Sequence, residues 1–281
     1  MSTAPPIEAI RIAWDAVAPG YDEYVTDRNL ALGRTVLERV PVGPGVTVLD
    51  VASGSGAVAI PAAEQGAEVT AVDLSPVMVE RLARRATAND LDNLTARVMD
   101  GEHLSLDDAT FDVTASQFGV MLFPDLRRGI AEMVRVTRPG GTVVLAVMGA
   151  PPTEMEFIGF FLAAVQPVAP EALDPIQAGP LPPFRLADTE VLRRHLTGVG
   201  LRDVRIETVD FTIPLEPTTS GNDLWQVVTN SNPIGAALVA GLSDEQGAEV
   251  RRILDGMLHE RVASGDAFLH NPVHIATGVR S

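Results

Sequence analysis

The chain is predicted to adopt an α/β fold, a mostly parallel sheet with helices on both faces and a helical lid, and three observations carry that prediction. Val46–Ile60, VTVLDVASGSGAVAI, is an apolar run that ends in an acid, turns through glycines and resumes with small apolar residues. That pattern reads as a buried strand, a loop and a helix. Glu68–Asp73 is a second apolar run with its acid at the carboxyl end, so the two make a βαβ unit of about 30 residues. Beyond it, strand-length apolar runs alternate with helix-length segments as far as Val147, and such alternation specifies a parallel sheet.

The elements follow in order. Residues 1–9 are proline-rich and expected to fray. Ile10–Val40 reads as one or two helices leading into the core, stopped by the turn PVGPG at Pro41–Gly45. The core then reads as strand Val46–Val51, helix Gly56–Gln65, strand Glu68–Asp73 and helix Pro76–Asn89, with Ser75 placed to cap and Pro76 in the first turn. Strands Leu94–Met99 and Phe111–Ser116, helix Leu126–Thr137 and strand Gly141–Val147 complete the alternation. Prolines then accumulate from 150 to 183 around an apolar helix at Glu154–Val165, and Asp188–Leu215 returns as a helix and a strand. Helices at Leu224–Thr229, Ile234–Ala240 and Asp244–Val262 come next, the last capped by Ser243 with Glu245 nearby, before HNPVHIATGVR supplies the final strand. The expected organisation is a helical lead-in at 1–40, a binding core at 41–149, a lid insertion at 150–187, core again at 188–215, a second helical lid at 216–265 and a last core strand at 266–281.

Composition narrows the function. At 281 residues and 46% apolar, the chain is long enough for a sizeable core. It has neither an apolar run near membrane-spanning length nor a leader pattern, so a cytoplasmic protein without a membrane span is expected. All 21 basic residues are arginine and there is no cysteine, which excludes Schiff bases, P-loop lysines, disulfides and thiolate chemistry. A net charge of −16 disfavours nucleic acid as a partner. The crowded Arg81, Arg84 and Arg85 are expected to be solvated on an outer helix face.

Ligands of such sheets lie outside the carboxyl ends of the strands, where Asp50, Asp73, Asp100 and Ser116 to Phe118 all fall. Asp50 separates the candidate ligands. A pyrophosphate needs bare backbone N–H groups at that strand end, and a carboxylate repels it. S-adenosylmethionine has no phosphate and carries an ammonium and a sulfonium, which a carboxylate suits.

The segment Asp50-Val51-Ala52-Ser53-Gly54-Ser55-Gly56 resembles the acid-x-G-x-G-x-G loop of the class I S-adenosylmethionine-dependent methyltransferases, with Ala52 in place of the first glycine. The likeness extends through MDGEHL at Met99–Leu104 and the run Phe111–Met148 with its RPGG turn. At the front, WDAVAPGYDEY (Trp14–Tyr24) is similar to the lead-in of the ubiquinone/menaquinone-biosynthesis methyltransferases. The resemblance implies a Rossmann-like seven-stranded sheet and S-adenosylmethionine as cofactor, with S-adenosylhomocysteine as product. It also implies a cofactor site made of Tyr21, Asp50, Ser53, Gly54, Gly56, Asp73, Leu74, Met78, Asp100, Gly101, Glu102, Ser116 and Gln117. In it, Asp73 would hold the ribose hydroxyls, Asp100 the adenine amino group, Leu74 and Met78 the sides of the adenosine, and Tyr21 the methyl-bearing end. Families that methylate amino groups of bases or proteins carry Asn/Asp-Pro-Pro-aromatic after the fourth strand. SQFG stands there instead, which turns the expectation toward oxygen or carbon of a small apolar or aromatic acceptor, such as a natural product.

Methyl transfer is chiefly alignment, and a general base is needed only for a nucleophile of high pKa. His103, just after the adenine-contact segment, and His270, at the start of the last strand, are the candidates for a base. His195 and His259 fall among charged neighbours on helices and read as surface residues. Arg28 or Arg34 is a potential partner for the cofactor carboxylate, with surface exposure the simpler reading of both. Phe118 and Trp225, and more generally Phe157, Phe160, Phe161 and Phe184, would line an acceptor pocket or form the lid's own core. No His/Asp/Glu spacing suggests a metal, and a homodimer is left open. Two rivals stand beside this reading: a protein that holds the cofactor without transferring methyl, as a rearrangement catalyst or sensor, and an NAD(P)-dependent oxidoreductase.

Overall fold

Seven strands hydrogen-bond into one sheet in the computed structural model, which describes residues 6–174, 181–216 and 218–281. In chain order these are β1 (Thr47–Val51), β2 (Glu68–Asp73), β3 (Leu94–Val98), β4 (Phe111–Gln117), β5 (Thr137–Met148), β6 (Leu201–Asp210) and, after a small ribbon of β7 (Ile213–Pro214) with β8 (Phe268–Leu269), β9 (Pro272–Arg280). The order across the sheet is β3-β2-β1-β4-β5-β9-β6. β1 to β5 pair in parallel, and β9 runs antiparallel between β5 and β6. The expected mostly parallel, seven-stranded Rossmann-like sheet is therefore present. Its winding reverses between β1 and β4, the position at which such sheets open a crevice for ligands.

β4 is buried at every position, as a central strand covered on both faces must be. One face packs Val48, Ala71 and Val113 against Val36 and Leu37 of α2 (Thr26–Leu37), Ala59 and Ala63 of α3 (Ala59–Glu64) and Leu82 of α4 (Pro76–Ala88). The other packs Leu49, Val51 and Leu145 against Ile130 and Met133 of α5 (Leu126–Val136) and Leu192 and Leu196 of α7 (Thr189–Gly198). A third apolar cluster joins α6 (Glu156–Val165), α8 (Gly221–Ser231) and α10 (Asp244–Ala263) through Phe161, Val228, Val250 and Leu254, with Leu238 of α9 (Pro233–Val239) packed against it.

Boundaries differ from expectation where local chemistry intervenes. α1 (Ile7–Tyr24) begins earlier than Ile10, so within the stretch expected to fray, Ile7 to Ala9 are helical and residues 1–5 lie outside the described residues. Part of the proline-rich insertion, 175–180, also lies outside them. α3 starts at Ala59 rather than Gly56, because Gly54 (φ +52°) and Gly56 (φ +104°) hold the preceding loop in a left-handed course. Ser75 caps α4 by accepting from the Met78 N–H, and Ser243 caps α10 in a reciprocal box with Gln246 rather than Glu245. The arginine cluster is a correction. Arg84 is exposed beside Glu80, whereas Arg81 and Arg85 donate to Asp22 at 2.9 and 2.7 Å and fasten α1 to α4. Among the described residues no helix is long and apolar enough to cross a membrane.

Candidate active site

The loop after β1 sets the floor of the site. Ser53 N–H donates to the Val72 carbonyl, and Gly54 N–H donates to Asp73 Oδ2 at 2.8 Å. Ser75 N–H supplies Asp73 Oδ1 at 2.8 Å, so each carboxylate oxygen holds one backbone donor and keeps further capacity. Burial pushes Asp73 up, with the Ser75 and Gly54 hydrogen bonds opposing it. Asp50 is 1% exposed and accepts from Ala59 N–H at 2.9 Å, at the start of α3. Burial pushes its carboxyl up to about 7, the Ala59 hydrogen bond opposing and the Asp73 charge adding.

α1 and α2 cross over this floor. Desolvation raises the Tyr21 hydroxyl to about 12, and that hydroxyl accepts from Asn29 Nδ2 at 2.8 Å. Its ring stands 3.7 Å from where a side chain on Gly54 would begin, and Trp14 packs edge-on against it at 6.2 Å. Thr26 and Ser55 share a hydroxyl hydrogen bond at 2.5 Å. From β4, Gln117 Nε2 donates to the Asn29 carbonyl at 3.0 Å. Asp100 accepts from Glu102 N–H, and Glu102 accepts from Asp125 N–H at the start of α5.

Between these groups and α6, α8 and α9 lies a cavity of about 290 Å³. Of the expected cofactor residues, Tyr21, Gly54, Asp73, Leu74, Met78, Asp100, Gly101, Glu102 and Gln117 border it together. Asp50, Ser53, Gly56 and Ser116 lie behind that wall. Ser116 Oγ accepts from Val120 N–H, and the buried Ser53 hydroxyl has no partner among the described residues. Phe118, Phe157, Phe161 and Phe184 line the apolar half. Trp225 does not: it packs against Phe161 at 5.8 Å beneath the Arg251 guanidinium, inside the helical cluster. Phe160 packs in that cluster as well.

The histidines stay off this wall. His103 Nδ1 pairs with Asp100 Oδ2 at 2.8 Å on the exposed side. His270 sits between Asp210 at 2.5 Å and Asp266 at 3.3 Å, before β9. His274 is buried in β9 with Thr208 on Nδ1 and the Ala187 carbonyl on Nε2. Arg34 pairs with Glu64, whereas Arg28 borders the cavity. Several wall residues escaped the sequence reading, among them Asn29, Phe123, Met148, Phe211 and Asn271. Asn29 alone carried a signal, a polar residue on the apolar side of a helical segment.

Comparison with known proteins places this geometry. Residues 48–141 match the family model of a methyltransferase domain. Nocamycin O-methyltransferase of Saccharothrix syringae is 33% identical over 58% of this chain and 60% of its own. A ubiquinone/menaquinone biosynthesis C-methyltransferase of Citrifermentans bemidjiense is 29% identical over 70% of this chain and 90% of its own. The chain spans about 60% of the length of the first curated relatives it matches. Among solved structures, the [4+2]-cyclase SpnF superposes with a TM-score of 0.58 over 99% of this chain and 97% of its own, and at 18% identity that likeness concerns the fold. Residues 48–141 thus match a methyltransferase domain, and the sheet that holds them has a Rossmann-like order.

Proposed function

We propose that this protein transfers a methyl group from S-adenosylmethionine to oxygen or carbon of a small, largely apolar organic acceptor, releasing S-adenosylhomocysteine. One observation carries the reading: the carboxylates of Asp73 and Asp100 and the apolar faces of Met148, Phe157 and Phe211 border the same cavity. A polar nucleoside half thus opens directly onto an apolar half, which is the arrangement needed to align two unlike molecules.

The wall fits the cofactor on its own chemistry. Gln117 Oε1 is buried without a donor among the described residues, which suits a ligand bearing N–H groups. When bound, S-adenosylmethionine supplies an activated methyl on sulfur. Asp73 would hold the ribose hydroxyls with its remaining acceptor capacity, Asp100 the adenine amino group, and Leu74 and Met78 the sides of the adenosine. Tyr21 would close over the opposite end, while Asp50, Ser53, Gly56 and Ser116 shape the loop from behind. α1, α6, α8 and α9 would serve as a lid that keeps water from the acceptor, with Phe118 on its floor. His103 and His270 turn away from the cavity, so no general base is assigned; an acidic acceptor needs none.

Oxygen and carbon both stay in the proposal because relatives of each kind match the chain. Asp50 at the end of β1 counts against the nicotinamide reading, and a net charge of −16 counts against a nucleic-acid acceptor. Calorimetric titration of the purified protein with S-adenosylmethionine and S-adenosylhomocysteine tests the cofactor. Micromolar binding of both is expected, and binding of neither would overturn the assignment. Mass spectrometry of acceptors incubated with protein and cofactor then reads the methyl increment.

A further inference from the structure

α6 begins without a cap of its own. Met155, the residue before it, makes no side-chain hydrogen bond to the first turn, so the N–H groups of Glu156 and Phe157 need partners from elsewhere. Both are met by the segment that leads into β9. The His270 carbonyl takes Glu156 N–H at 3.1 Å, and Asn271 Oδ1 takes Phe157 N–H at 3.1 Å. The other end of the same amide holds the strands. Asn271 Nδ2 donates to the Phe211 and Leu269 carbonyls, each at 3.2 Å. Its main chain adds two bonds, the N–H to Asp210 Oδ1 at 3.1 Å and the carbonyl from Phe211 N–H at 2.9 Å.

Asn271 is 3% exposed, so each of these polar atoms needs its partner. One short side chain must accept from a helix start and donate twice to strand ends, and among short side chains only asparagine does both. With both amide hydrogens spent, it offers the cavity no donor, although it lies on the wall. What it holds are two aromatic residues of that wall. Phe157 of α6 and Phe211 after β6 both border the cavity, and the Phe211 ring packs against Phe118 at 6.5 Å. We propose that Asn271 is a positioning residue for the acceptor: it fixes the α6 wall relative to the wall of Phe211 and Phe118, and so sets the shape of the space left for the acceptor. This rests on the reading above that the apolar half of the cavity is the acceptor side. None of the Asn271 hydrogen bonds goes to Asp73 or Asp100, so the cofactor side should not feel their loss.

The test reads the two halves of the cavity separately in the full chain. Calorimetry with S-adenosylhomocysteine reads the cofactor side. Fluorescence of N-phenyl-1-naphthylamine, a neutral aromatic probe, reads the acceptor side with S-adenosylhomocysteine present. Asn271→Leu keeps the size of the side chain and removes its hydrogen bonds. It should weaken the probe by about three- to tenfold and leave S-adenosylhomocysteine within about twofold. Asn271→Gln, which keeps the amide on a longer arm, should recover part of the loss. Asn271→Ser leaves room for water at the freed groups and gives the same comparison should Asn271→Leu not fold. Labelling with 4-fluorophenylalanine follows the walls directly. The resonances of Phe157 and Phe211, assigned with Phe157→Leu and Phe211→Leu, should move in the Asn271 variants, while that of Phe111 at the start of β4 stays. Equal losses of both ligands would make Asn271 a general support of the fold and overturn the proposal. Unchanged probe binding in the variants would overturn it too. If the wild-type protein binds S-adenosylhomocysteine but not the probe, the apolar-acceptor reading fails and the proposal falls with it. If it binds neither, the cofactor assignment fails as well.

Discussion

Asp50 and Asp73 are the same residue type at the ends of neighbouring strands, and their surroundings separate them. Asp73 stands on the cavity wall with two backbone donors, while Asp50 is sealed behind the loop against Ala59 N–H. Both were legible from the sequence as strand-end acids. What periodicity does not encode is the path of the loop, which turns left-handed at Ala52 (φ +56°) and Gly54 and so hides Asp50. Ala52 takes a conformation that costs an L-residue about 1 kcal/mol, so the departure from glycine there is less innocent than it looks in sequence. For Asp50 the sign of the pH effect follows from its raised value. Its folded pKa of about 7 exceeds the unfolded one, so its contribution to stability is present when protonated and is lost as pH rises toward 7. A nearby cation favours the charged carboxylate and reverses that preference. S-adenosylmethionine should therefore bind more tightly at about pH 8 than at about pH 6, by up to about tenfold. Asp50→Asn should flatten the trend, and dissociation constants measured across that range decide it. The same slope in the variant would show that the cofactor's charge does not reach Asp50 through the loop.

At the level of elements, the central strands were readable to within a residue or two because burial on both faces makes them continuous apolar runs. β5 was not: it begins at Thr137, before the RPGG turn, since Thr137 pairs with Phe111 across an irregular register that no periodicity signals. The close approach of α2 to the loop was equally hidden, although a glycine inside a helix hints at such contact. Gly33 is buried, and a Cβ there would sit 1.8 Å from the Ala57 carbonyl oxygen. Backbone cannot give way cheaply, so Gly33→Ala should destabilise the protein by about 1–3 kcal/mol or more and weaken cofactor binding by lifting α2 from the loop. Gly256 in α10 supplies the control. Nothing lies within 4 Å of its added Cβ, and Gly256→Ala should stabilise by about 0.5–1 kcal/mol through helix propensity alone. Chemical denaturation of both variants measures the contrast, and a neutral Gly33→Ala would mean that α2 has room the packing does not suggest.

Over the whole molecule, the apolar character of the helices outside the sheet was visible in composition, but which of their aromatics face the cavity was not. Phe161 and Trp225 both sit in amphipathic helices, and only assembly puts one on the wall and the other behind it. Assembly also creates a junction that no local pattern announces. Glu156 at the start of α6 pairs with Arg261 near the end of α10 and accepts from His270 N–H at 2.6 Å. The His270 ring reaches Asp210 at the end of β6 and Asp266, which Arg261 also approaches at 3.3 Å. Both ends of the helical cap therefore meet the sheet in one charged cluster. The Asp210 hydrogen bond raises His270, burial opposes it, and the charge of Asp210 and the hydrogen bond and charge of Asp266 add to the rise. Because the folded pKa lies above the unfolded value of about 6.5, the stabilisation is complete below that value and fades as pH climbs through the folded one. Amides of α6 and α10, corrected for intrinsic rates, should exchange faster at about pH 8 than at about pH 6, while those of β1 and β4 hold steady. His270→Gln should show the faster exchange at both values. Added salt should act in the same direction, since the ring and both carboxylates are partly exposed and screened. Phe157 and Phe161 of α6 form part of the cavity wall, so loosening at this junction is expected to reach the acceptor side of the site. Identical exchange in both proteins at both pH values would show that the cluster does not hold the helices down.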